Sequence, residues 1–224
     1  MTRTSPAMIV MATALAALAG FVDAVAWIEL VGFFASFMSG NTTRLGIGIG
    51  HGDWAAARMA GGLILMFLSG VIAATVVAHR FDRRHKPPVM ALATLALATA
   101  ALCAWLGQPM PALLLLAFAM GAENGVFHRD GEVSIGLTYM TGTLVRCGQH
   151  MAAALMGTGA RLAWAPYLVL WLGFLCGGVL GAVASTGSLA GAITAAALLS
   201  LSLTIALALL TRPAPRVERR PSGG

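Results

Sequence analysis

Two short stretches hold the residue types from which a polar site could be built. Ser39-Gly40-Asn41-Thr42-Thr43-Arg44 and Thr141-Gly142-Thr143-Leu144-Val145-Arg146 each place an arginine five positions after a hydroxyl. Ser39, Asn41, Thr42, Thr141 and Thr143 are of the types that cap helix N-termini. Gly40 and Gly142 permit a tight backbone entry. A short helix starting at either place would aim unsatisfied N–H groups and a positive dipole end into the protein. Arg44 and Arg146 would fall within its first turn or so. Two such elements meeting near the membrane midplane would form a positive, donor-rich pocket suited to a small anionic or polar solute. Asp23 and Glu123 would then balance the charge.

Competing readings apply to the same residues. Asp23 with Arg44 and Glu123 with Arg146 could be ion pairs that only lock a broken helix, since charges inside membranes both pair with one another and mark solute paths. Alternatively the arginines snorkel to head groups, a reading that suits Arg58 and Arg161 better. Asp23 and Glu123 could also carry protons for coupled transport. Enzyme readings find little. Ser39 in FMSG is similar to intramembrane serine protease motifs but lacks their upstream glycine, and His51 and His150 are not equivalently placed. No nucleotide-binding or zinc spacing occurs, so neither a cofactor nor a metal is expected. Cys103, Cys147 and Cys176 read as packing residues.

The elements that must position these residues follow from composition. Of the 224 residues 58% are hydrophobic and 10% charged, and mean hydropathy is +0.85. A soluble domain carries about 25% charged residues, so this chain lacks the means to cover a water-exposed surface. The apolar runs are continuous rather than alternating, which excludes a membrane β-barrel. The expected class is an all-α, polytopic membrane protein with about six spans near 7–28, 59–79, 89–107, 110–127, 164–185 and 189–211. The first run could be read as a secretion signal with Ala17-Leu18-Ala19 at its end, but its apolar character continues to Met38.

The basic residues cluster at His79–Lys86 and in Arg212–Arg220, directly after apolar runs. That is the distribution of cytoplasmic loops, and it places both termini on the cytoplasmic side of the plasma membrane. The net charge of +6 therefore indicates topology rather than a nucleic-acid partner. Stretches 30–52 and 133–157 are apolar yet contain Gly, Ser, Thr and Arg, and read as re-entrant, broken or interfacial segments. Gly173, Gly177 and Gly181 recur every four residues as a close-contact seam, with Gly46 and Gly50 as a shorter one. Packing within one chain accounts for them, and a homo-oligomer is left open.

The halves resemble each other. Phe37–Gly46 recurs as Tyr139–Gly148, and with a one-residue shift Gly20 matches Gly121, Asp23 matches Asn124, and Glu29 matches Asp130. Phe67-Leu68-Ser69-Gly70 resembles Phe174-Leu175-Cys176-Gly177. Three spans per half would make the repeats inverted, 1–109 and 110–211, followed by a basic, disordered cytoplasmic tail at 212–224. Inverted repeats with broken segments at their interface are a transporter architecture. The blocks GFVDAVAWIELVGFFASFMSGNTTRLG and GAENGVFHRDGEVSIGLTYMTGTLVRCGQ resemble the YoaK family of bacterial membrane proteins, over about Ala14 to Leu210. The resemblance implies a multi-span fold in contact with the lipid bilayer and brings no substrate with it. Family members often carry Gln where this chain has Glu123. A transporter or permease is the leading expectation; a non-transporting scaffold or regulatory protein is the alternative.

Overall fold

The computed structural model describes residues 6–81, 85–129, 132–133 and 138–211. Eight α-helices run through them: α1 (Pro6–Glu29), α2 (Met38–His51), α3 (Trp54–Phe81), α4 (Lys86–Trp105), α5 (Pro109–Asn124), α6 (Met140–Leu155), α7 (Ala165–Ala184) and α8 (Leu189–Leu210). A 3-10 turn at Gly125–Phe127 leads into a two-residue antiparallel ladder, β1 (His128–Arg129) against β2 (Glu132–Val133). Residues 212–224, Asp130 and the centre of the first basic loop lie outside the described residues.

The helices begin and end where local chemistry dictates. Proline stands in the first turn of α4, α5 and α7, where its missing N–H costs nothing. The Ser188 hydroxyl accepts from the Gly191 amide at 3.1 Å to cap α8. Gly52, at φ 73°, terminates α2, and the Asp53 carboxylate then accepts from the Ala56 amide at 3.0 Å to open α3.

Five helices, α1, α3, α4, α7 and α8, are long and apolar enough to cross a membrane. The sixth expected span, α5, has 16 residues and is only about 24 Å long at the usual helical rise. It ends at Gly125 and the 3-10 turn, short of residue 127. Its apolar side is spent on protein, with nine residues buried. By contrast α3 exposes Leu65, Leu68, Ile72 and Val76, and α8 exposes Leu198, Leu201, Ile205 and Leu209. Such faces are stable only against lipid, where every backbone polar group must be satisfied within the helix itself.

Helix contacts come in matched sets. α1 packs on α7 as α3 packs on α5; α4 packs on α5 as α8 packs on α1; α2 lies on α3 as α6 lies on α7; and α4 meets α8 across the middle. Atomic detail follows the same scheme. A Cβ on Gly177 would meet the carbonyl oxygen of Ala17, and one on Gly70 would meet that of Phe118. Likewise Gly20 abuts the Phe174 carbonyl, and Gly121 the Phe67 carbonyl. Gly173, Gly177 and Gly181 face Thr13, Ala17 and Phe21 of α1, so the expected seam exists and is intramolecular. The shorter seam does not: Gly46 and Gly50 have nothing within 4 Å of an added Cβ. Where α4 meets α8, the Thr94 hydroxyl lies 2.7 Å from that of Ser200 and 2.8 Å from that of Thr204, a polar clasp of the kind that small hydroxyl residues supply between membrane helices.

Candidate functional site

Both motif blocks form the first turns of short helices, but not in the way their residue types suggest. α2 starts at Met38 and α6 at Met140, each preceded by an aromatic residue in nearly the same conformation: Phe37 at φ −83°, ψ 75° and Tyr139 at φ −88°, ψ 64°. No side chain caps either helix. Ser39, Asn41, Thr42, Thr141 and Thr143 are therefore not N-caps, because they lie past the entry point. The Thr42 and Thr143 hydroxyls bond back along the helix instead, to the carbonyls of Met38 at 2.8 Å and Tyr139 at 3.1 Å, as hydroxyls inside helices do. Gly40 and Gly142 are required for a different reason from chain entry. The ring of Phe37 lies over Gly40 and that of Tyr139 over Gly142, so a Cβ at either place would collide with it.

Asn41, fully buried, clamps the segment between α1 and α2. Its Oδ1 accepts from the Phe34 amide at 3.0 Å, and its Nδ2 donates to the Phe34 carbonyl at 2.7 Å and to Met38 Sδ at 3.7 Å. Asp23 holds the same segment from the other side: the amide and the hydroxyl of Ser36 each donate to its carboxylate at 2.6 Å. A simpler version recurs in the second half, where the Thr138 hydroxyl donates to Asn124 Oδ1 at 3.2 Å. Ser36 and Thr138 escaped the sequence reading, although each stands one residue ahead of the repeated block and the alignment would have reached them.

Neither arginine takes the acid expected for it. The guanidinium carbon of Arg44 sits 4.8 Å from the centre of the Phe33 ring and 5.7 Å from that of Trp27, a cation–π arrangement. Arg146 is exposed on α6. Glu123 is fully buried, with neither carboxyl oxygen hydrogen-bonded. Asp23 is spent on Ser36 and Glu123 is unpaired, so the charge-balancing role assigned to them is not realised in these contacts. Among the described residues no group of three or more His, Cys, Asp or Glu side chains could hold a metal ion.

The two helix N-termini do converge. A cavity of about 600 Å³ lies between the halves, walled by Ser36, Phe37, Met38, Ser39 and Phe67 and by Thr138, Tyr139, Met140, Thr141 and Phe174. In the repeat these are five equivalent pairs. Gly20, Asp23, Ala24, Trp27, Phe34 and Gly178 complete the wall. A volume of this size holds a small solute, and an apolar lining with a few convergent polar groups is typical of ligand sites. A second cavity of about 720 Å³ opens beside α2, with Ser39, Gly40, Thr43, Arg44, His51 and Asp53 among its lining residues. Of the expected site residues, Asp23, Ser39 and Thr141 reach the central cavity, and Ser39, Gly40 and Arg44 the second one. Asn41, Thr42, Glu123, Gly142, Thr143 and Arg146 line neither.

Long apolar helices with lipid-facing surfaces and a cavity shared by both halves define a multi-span helical membrane protein. Comparison with known proteins narrows this: residues 11–206 match the family described as "Protein of unknown function (DUF1275)", and the chain belongs to that family. It is 34% identical over 181 residues to UPF0700 transmembrane protein RA0705 of Rhizobium meliloti (strain 1021), covering 81% of this chain and 77% of that one. YoaK proteins belong to the same family, which bears out the resemblance read from the sequence. No solved structure matches.

Proposed function

We propose that the chain is a small-molecule transporter or channel-like permease of the cell's inner membrane, with both termini cytoplasmic. Its two halves, 1–109 and 110–211, act as inverted repeats about the central cavity. The observation that carries the reading is the composition of the cavity wall, to which both repeated blocks contribute equivalent residues and the first turn of a short helix. Solute sites of inverted-repeat transporters lie at such interfaces, where half-helix N-termini point at the solute. Ser39 and Thr141 would supply hydroxyls, and Arg44, in the adjoining cavity, would favour an anionic or polar solute.

A second reading is favoured by one specific observation. Asn41 and Asp23 spend their hydrogen-bonding capacity on the chain itself, as they would in a scaffold that transports nothing.

A thermal-shift screen of the purified protein against small anions, amino acids, nucleobases and sugars separates the two. A solute that binds only the folded state stabilises it by about 2.7 kcal/mol at a hundredfold excess over its dissociation constant. The permease reading expects such a solute, with the shift lost in Thr141→Trp, which puts an indole ring into the cavity wall. If no solute distinguishes the wild type from a folded Thr141→Trp, the scaffold reading stands.

A further inference from the structure

We propose that Trp27, Phe34 and Phe37 form an aromatic partition between the central cavity and the Arg44 cavity, held in place by Gly40, Asn41 and Arg44. Its use as a gate rests on the permease reading; its existence as a barrier does not.

All three rings line both cavities. They also touch one another. The Trp27 and Phe34 ring centres are 4.9 Å apart at 39°, and those of Phe34 and Phe37 are 5.1 Å apart at 86°. Aromatic pairs at such distances attract beyond the effect of burial alone. Phe34 is the middle member, so its removal breaks both contacts.

Each ring has a support from the same block of sequence. Phe37 rests on Gly40, Asn41 grips both backbone polar groups of Phe34, and the Arg44 guanidinium lies over Trp27. The block thus holds a wall instead of contributing a row of solute ligands. That explains why its most buried polar residue faces the backbone and not a cavity.

Two of the three rings, Phe34 and Phe37, follow a turn in the chain, whereas Trp27 stays on α1. Phe34 belongs to the non-helical segment between α1 and α2, which leaves α1 through Val31 at φ 50° and Gly32 at φ 100°. Hinges are a few loop or element-terminal residues that absorb large backbone changes, and a change at these two would swing Phe34 and Phe37 relative to Trp27. A Cβ on Gly32 would also strike the Arg44 guanidinium, which ties the hinge to the arginine. The partition is one-sided in sequence as well. In the register that pairs Phe37 with Tyr139, Phe34 falls on Gly136, and the shifted upstream register sets Trp27 against His128.

The test is thiol accessibility in lipid nanodiscs, with the three native cysteines replaced by alanine and a charged methanethiosulfonate as probe. Thr141→Cys reports on the central cavity and Thr43→Cys on the Arg44 cavity. Thr141 is an exposed position, so the reading is the change in its rate when a ring is removed. Adding Phe34→Ala, which breaks both ring contacts, should speed it roughly tenfold, and Phe37→Ala, which breaks one at a partly exposed side chain, roughly threefold. The rate at Thr43→Cys should stay unchanged. Equal rates at Thr141→Cys with and without the rings, fast or slow, overturn the partition, and so does a matching rise at Thr43→Cys. Labelling requires no solute, so a failed solute screen and a failed partition are distinct results.

Discussion

The two halves of the molecule agree where backbone meets backbone and part company where side chains do the work. Gly70 and Gly177 each bring a helix against a carbonyl oxygen of its neighbour, and Phe37 and Tyr139 each fold over a glycine. Yet Asn41 grips a loop while its equivalent, Thr143, only bonds its own helix. Arg44 is stacked on rings while Arg146 is exposed. Asp23 takes two bonds from Ser36 where Asn124 takes one from Thr138. Duplicated packing needs only small residues at fixed spacing, so it persists in both halves. The polar fittings answer to the local segment, and the first half holds an aromatic wall there.

The largest expected effect tests the shared part. Gly70→Val and Gly177→Val should each lower stability in detergent by about 3 kcal/mol, because a backbone carbonyl within a helix cannot withdraw from the added carbons. A tolerated Gly70→Val beside a disruptive Gly177→Val would break the equivalence of the two interfaces. The next effect sharpens the divergent part. Asn41→Ala should cost about 2 kcal/mol, since it orphans both polar groups of Phe34, whereas Thr143→Ala should cost less than about 1 kcal/mol. Equal costs in parallel thermal melts would mean that the clamp adds nothing beyond a helical hydroxyl. The smallest effect returns to the shared part. Gly46→Ala and Gly148→Ala, with nothing within 4 Å of either added carbon, should each raise stability by up to about 1 kcal/mol through helix propensity alone. A loss at either position would reveal a close partner, such as a second copy of the chain.

Much of the fold is legible in the sequence. Runs of apolar residues marked α1, α3, α4, α7 and α8 to within a few residues, because a helix in lipid must be both long enough and apolar enough to cross. The irregular stretches were legible through their mixture of glycine, hydroxyls and arginine, and they hold α2 and α6. What misled was residue type taken as role. Ser39 and Asn41 look like helix caps, but a cap is defined by where the backbone turns, and that happens at Phe37. Arg44 and Asp23 look like partners, yet Ser36 reaches the carboxylate first. Glu123 offered no signal of its fate, since being buried without a hydrogen bond is a property of its neighbours.

The sequence by itself determined the class of protein, its family, five of the six expected spans and the repeated block, because lipid imposes hydropathy and length on every helix separately. Only the tertiary structure decided that the two blocks share one cavity, that Arg44 rests on aromatic rings, and that Asn41 faces backbone instead of solute. Those outcomes depend on which groups come within a few ångströms across the fold, and neither hydropathy nor spacing along a chain carries that distance.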